Sequence, residues 1–170
     1  MHALFARIAL ALSILTTNAW AHSPSAGHHQ HSTAAPEQLA WGIAGEASKV
    51  NRVIEVSMTD DMRFQPAMID IKMGETIRFV IRNKGQLLHE MVIGTKAELD
   101  KHVALMEKFP NMAHDEPYMS HVDPGKSGEI VWLFNRAGDF DFACLIPGHY
   151  QSGMIGKIRV TADRVAAEKR

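Results

Sequence analysis

One cysteine in 170 residues is the scarcest feature of this chain. A lone thiol closes no internal disulfide, so a disulfide-stapled scaffold is excluded and the thiol is paired between chains, free, or bound to something. Charge of one sign is lacking too: 18 Lys plus Arg face 19 Asp plus Glu, for a formal net charge of −1. That balance argues against an electrostatic nucleic-acid binder. The apolar run at residues 8–15 falls short of the roughly 20 residues that a membrane-spanning helix needs. Against these scarcities stand ten His and ten Met. Imidazole and thioether, with thiolate, are the ligands that soft or borderline transition metals take. With 46% hydrophobic and 22% charged residues, the rest of the composition is that of one soluble globular domain.

Residues 1–21 read as a cleavable signal peptide: Arg7 precedes the apolar stretch, and Ala19-Trp20-Ala21 has the small-x-small form of a cleavage site. The expected compartment is the periplasm, with an uncleaved anchor as the alternative reading. Residues 22–40 have no apolar periodicity and read as a flexible tail. This tail carries His22, His28, His29 and His31, either a weak copper or zinc site or a solvated linker. Residues 163–170 read as a short C-terminal tail.

Between the tails, residues 41–162 read as one domain. Val50, Ile54, Val56 and Met58 alternate with polar neighbours, and Ile77, Phe79 and Ile81 alternate with Arg78, Val80 and Arg82. Further extended runs at 67–72, 87–93, 129–134, 139–143 and 154–160 are separated by turn residues. About seven short strands of this kind predict an all-β, two-sheet sandwich. One segment, 96–108, places Leu99, Val103 and Met106 at helical spacing. It lies in a stretch, 95–127, that reads as a long insertion between strands, and insertions of such length usually have a task of their own.

The chemistry concentrates at 141–157. Cys144, His149 and Met154 are each five positions apart, with Pro147-Gly148 and Gly153 to turn the chain between them. A thiolate, an imidazole and a thioether on one loop lack only a second imidazole to make a trigonal His₂Cys copper site with a weak axial Met. His89, 55 residues before Cys144, is the candidate, and it must approach through the fold. A metal held this way is expected to staple the two sheets together. Each residue alone has a plainer reading as core or surface, and a nucleophilic Cys with a His base is a further alternative. No cysteine-protease signature surrounds Cys144.

The segment FACLIPGHYQSGMIGKI, with the upstream LLHEMVIG, resembles the cupredoxins, the type 1 blue or green copper proteins. The spacing is similar to that of rusticyanin and auracyanin, and the Met-bearing insertion to that of periplasmic cupredoxins of copper tolerance. The resemblance implies a Greek-key β-sandwich. It implies type 1 copper held by His89, Cys144 and His149 as equatorial ligands and Met154 as the axial one. It further implies that His149 reaches the surface through an apolar patch around Ile146, Pro147 and Ile155, and that a redox partner protein, such as a cytochrome or copper oxidase, exchanges electrons there. Where many family members carry Asn or Ser just after the first His, to brace the Cys loop, this chain carries Glu90.

The insertion holds a second constellation, Met112, His114, Met119 and His121, with His102 and Met106 of the helix as further candidates. Two thioethers and two imidazoles suit Cu(I); the alternative is a loop that tucks its methionines into the sandwich. Three functional classes follow: an electron carrier, a copper-tolerance protein, and a subunit of a copper oxidoreductase. The last needs further copper centres, and one short domain with one Cys does not supply the full set.

Overall fold

The computed structural model describes residues 36–109 and 115–162. The signal segment, the tail histidines His22, His28, His29 and His31, the insertion residues Met112 and His114, and residues 163–170 lie outside that range.

The alternating runs become strands of two five-stranded sheets. The first sheet contains β1 (Ile43–Ala44), β2 (Arg52–Thr59), β3 (Arg63–Gln65), β5 (Thr76–Asn83) and β8 (Ser127–Leu133), in the order β1-β8-β5-β2-β3. The second contains β4 (Met68–Lys72), β6 (His89–Gly94), β7 (Met119–Val122), β9 (Gly138–Ala143) and β10 (Ile155–Thr161), in the order β4-β10-β9-β6-β7. Each sheet mixes pairings: β2 runs parallel to β5 and β4 parallel to β10, while β5–β8, β9–β10 and β6–β9 are antiparallel. Between the sheets lies a core of Ile77, Phe79 and Ile81 from β5, Ile130 and Trp132 from β8, and Met91, Ile93 and Phe142 from the opposing sheet. Period-two alternation puts these side chains inward, and a slip of one residue would turn each set out to water.

Strand β6 is buried along its whole length, which is why its sequence reads as a continuous apolar run. Met91 and Ile93 enter the core between the sheets, whereas Val92 belongs to a second apolar cluster with Leu99, Val103, Met119 and Leu145. That outer cluster is roofed by α1 (Lys96–Lys108), the helix expected from Leu99, Val103 and Met106. Its N-cap is Thr95, whose side chain accepts from the N–H of Glu98 at 3.2 Å and satisfies one of the amides orphaned at a helix start.

Four expectations are corrected. Met119–Val122, inside the stretch read as insertion, pairs with β6 as the edge strand β7. Leu39 packs against the core, and Gln38 exchanges side-chain hydrogen bonds with Asn135 at 3.2 and 2.7 Å, so the tail ends before residue 38. Leu87 and Leu88, read as strand, are exposed, because the chain at 84–88 turns around a carboxylate before β6 begins. Finally, β6 and β9 lie in the same sheet, so a metal joining His89 to Cys144 would link strands of one sheet and would not staple the two.

Candidate metal centre

The centre forms where β6 begins and β9 ends. Antiparallel pairing of Val92 with Ala143 sets the start of β6 beside the residue that follows β9, which is Cys144. The loop 144–154 then folds tightly on itself: His149 N–H donates to Ile146 O at 2.9 Å, Met154 N–H to His149 O at 3.1 Å, and Cys144 N–H to Met154 O at 3.1 Å. The backbone of Met154 is thereby closed onto that of Cys144, and both side chains are fully buried. Three residues that the sequence singled out, His89, Cys144 and His149, offer ligand atoms that all lie within 4.8 Å of one another. His149 Nδ1 stands 3.3 Å from Cys144 Sγ, and the two imidazole rings are 4.9 Å apart. They are the only group of three or more His, Cys, Asp or Glu side chains so arranged among the described residues.

The electrostatics suit a cation that accepts nitrogen and sulfur. Burial pushes the Cys144 thiol up to about 12, opposed by backbone N–H groups of Glu90 and Ile146. The Glu90 amide lies 3.5 Å from the sulfur. Burial, then the neighbouring His89, lowers the His149 imidazole, so it is neutral at pH 7 and keeps a lone pair to donate. His89 Nδ1 is buried and has no hydrogen-bond partner, a costly arrangement unless something else binds it. A softish metal ion satisfies that nitrogen and replaces the thiol proton, so the donor set fits copper.

Outside these donors, two carboxylates hold the site. Glu90, fully buried, accepts the N–H of Leu145 at 2.8 Å and so ties β6 to the residue after Cys144. The acidic side chain therefore makes the brace to the Cys loop that the resemblance assigns to this position. Its second oxygen lies 2.7 Å from His121 Nε2 across the β6–β7 pair. On the opposite side, Asp60 Oδ1 is 3.0 Å from His89 Nε2. The amide of Gln86, followed by the His89 contact and the amide of Leu87, holds the Asp60 carboxyl below its ordinary value, against a smaller desolvation effect. Asp60 stands 29 residues before His89 in a stretch that reads only as a turn. No local signal marks it.

The insertion constellation is not assembled among the described residues. Met119 is buried in the outer apolar cluster, where its thioether packs under α1, and Met106 is buried on the helix. His121 is engaged by Glu90. Both Met119 and His121 point to the outer face of the sheet because β7 alternates, and each already has a structural role there. His102 is half-buried on α1. His149 is half-buried, with Ile146 and Ile155 half-buried and Pro147 exposed around it.

A mixed five-plus-five sandwich with His, Cys and His converging at one end of a sheet is the architecture of a single-domain copper protein. Residues 50–161 match the copper binding proteins of the plastocyanin/azurin family, and the chain belongs to that family. The arrangement of His89, Cys144 and His149 is consistent with a type 1 copper centre. Among particular relatives, the chain is 48% identical to the copper-resistant cuproprotein CopI of Rubrivivax gelatinosus, over 81% of each chain. It is 37% identical to the protein of the same name from Pseudomonas aeruginosa, over 71% of this chain and 82% of that one. Auracyanin from Roseiflexus castenholzii shares the fold at a TM-score of 0.57, with 20% identity over 66% of this chain and 98% of its own.

Proposed function

We propose that this protein is an exported, periplasmic copper protein that cycles between Cu(I) and Cu(II) and serves copper tolerance. His89, Cys144 and His149 would hold the copper through two imidazoles and a thiolate, with the buried Met154 offering a thioether. The observation that carries this reading is the convergence of a buried thiol and two imidazole nitrogens, one of them orphaned, within 4.8 Å. Copper bound there supplies a one-electron couple. The chain's own contribution is rigidity. Cu(I) and Cu(II) prefer different geometries, and ligands fixed by a β-framework on one side and a three-bond loop on the other change little when an electron arrives. Half-buried His149 would present its ring edge to a redox partner protein, a cytochrome or a copper oxidase. The tolerance role is supported by relatives of 48% and 37% identity that are named copper-resistant.

Two measurements test the reading. Purified protein should bind copper with intense visible absorption, and Cys144→Ser should abolish that absorption; a variant with an unchanged spectrum would sink the assignment. A deletion strain should be copper-sensitive with normal respiration. A respiratory defect without copper sensitivity would instead make the protein a dedicated electron carrier.

A further inference from the structure

Asp60 is not one of the four proposed ligands, yet its carboxylate meets two backbone amides and the His89 imidazole beside the centre. The residue sits in the turn between β2 and β3, in the first sheet, while His89 opens β6 in the second. Its Oδ2 accepts the N–H of Gln86 at 2.7 Å, and its Oδ1 accepts the N–H of Leu87 at 3.3 Å and meets His89 Nε2 at 3.0 Å. Gly85 makes room for this: a Cβ built there would fall inside the Asp60 carboxylate. The loop 84–88 is thus shaped to deliver a carboxylate to one nitrogen of one imidazole.

An ionised carboxylate only accepts, so Nε2 must be the protonated nitrogen, and a neutral ring then carries its lone pair on Nδ1. Nδ1 is the buried atom with no partner. Outer carboxylates of this kind fix the tautomer and orientation of a metal-bound imidazole and raise its basicity. We propose that Asp60 is a positioning residue for His89: it presents the Nδ1 lone pair to copper, strengthens it as a donor, and so favours Cu(II) over Cu(I) and holds the reduction potential down. The same contact ties the first sheet to the second at the metal centre, a tie made by protein and not by the ion. This inference rests on the copper reading above.

Two variants approach the contact from different directions. Asp60→Asn keeps the shape and one oxygen acceptor but removes the charge and turns an NH2 donor toward either the Gln86 amide or His89 Nε2; Gly85→Ala keeps the charge but displaces the carboxylate. Both should bind copper and keep the visible absorption, with Cu(II) affinity lowered about tenfold or more relative to Cu(I), equal to a rise of about 59 mV in reduction potential. In the diamagnetic Cu(I) form, the His89 Nε2–H proton resonance of the wild type should be shifted downfield and exchange slowly with solvent. It should move upfield in Asp60→Asn and exchange faster in Gly85→Ala. Circular dichroism identifies a variant that fails to fold, and the other then carries the test. Wild-type potentials in the folded variants, with absorption intact, would overturn the role of Asp60 and leave the copper reading standing. A wild-type protein without the absorption would overturn both, and the two failures are told apart by that spectrum.

Discussion

At the scale of single residues, the centre is a contest between burial and bonding. Cys144 loses its water and keeps its proton, because the thiolate has too little compensation from two backbone amides. A metal must expel that proton. Because the thiol lies at about 12 and His149 is neutral at pH 7 owing to burial, copper uptake near neutrality should release about one proton per ion. Affinity should then rise about tenfold per pH unit through that range. Proton release in weakly buffered solution, measured on titration with copper, checks this; uptake with no release would mean that the thiol is already ionised. Glu90 shows how one side chain does two jobs. A carboxylate with two oxygens braces Leu145 through one and meets His121 through the other.

At the scale of elements, most of the strands were legible because their burial has period two. β5 and β8 each face the core with alternate residues and solvent with the others. Helix α1 was legible to the residue because Leu99, Val103 and Met106 mark one face and Thr95 caps it. What stayed hidden was short or distant. β1 has 2 residues, β3 has 3 and β7 has 4, too few to show a period, and β7 is specified by its pairing with β6 and by the roof over Met119. In the candidate site, the two loop residues that converge with His89, Cys144 and His149, were legible from spacing, and His89 from the need for a second imidazole. Asp60 and the Glu90–His121 pair were not, since they meet across 29 residues and across a strand pair. α1 also grips the ligand loop from outside: Tyr150 Oη donates to Asp100 Oδ1 at 2.8 Å and Gln151 donates to Glu107. Leu99→Ala, which empties the centre of the roof, should cost about 2–5 kcal/mol in urea unfolding. Tyr150→Phe, removing one hydrogen bond at the surface, should cost about 0.5–1.5 kcal/mol. Equal losses in the two would contradict this division between packing and tethering.

At the scale of the whole molecule, stability should depend on pH through the edge strand. The Glu90 carboxylate raises the His121 imidazole above its ordinary value, against a smaller effect of burial. The native state therefore binds a proton more tightly than the unfolded chain. Its contribution is full below the unfolded value of 6.5 and is lost as pH rises through the higher folded value. Metal-free protein should accordingly melt at lower temperature as pH climbs through that window, and His121→Gln should flatten the slope. A melting temperature that rises across the same window would reverse the sign and refute the pairing. No helix among the described residues is long and apolar enough to cross a membrane.

Three of the four proposed donors, Cys144, His149 and Met154, sit on the single hairpin that joins β9 to β10. The loop's mutual backbone bonds link the positions of these three residues, so on the proposed reading their donors are expected to leave a bound ion together more readily than singly. Opening the hairpin leaves only His89 in place. On the proposed reading, residence of the metal is expected to follow one cooperative opening of this loop, while an electron needs no such opening. The same few residues would then separate the fast movement of charge from the slow movement of the ion itself.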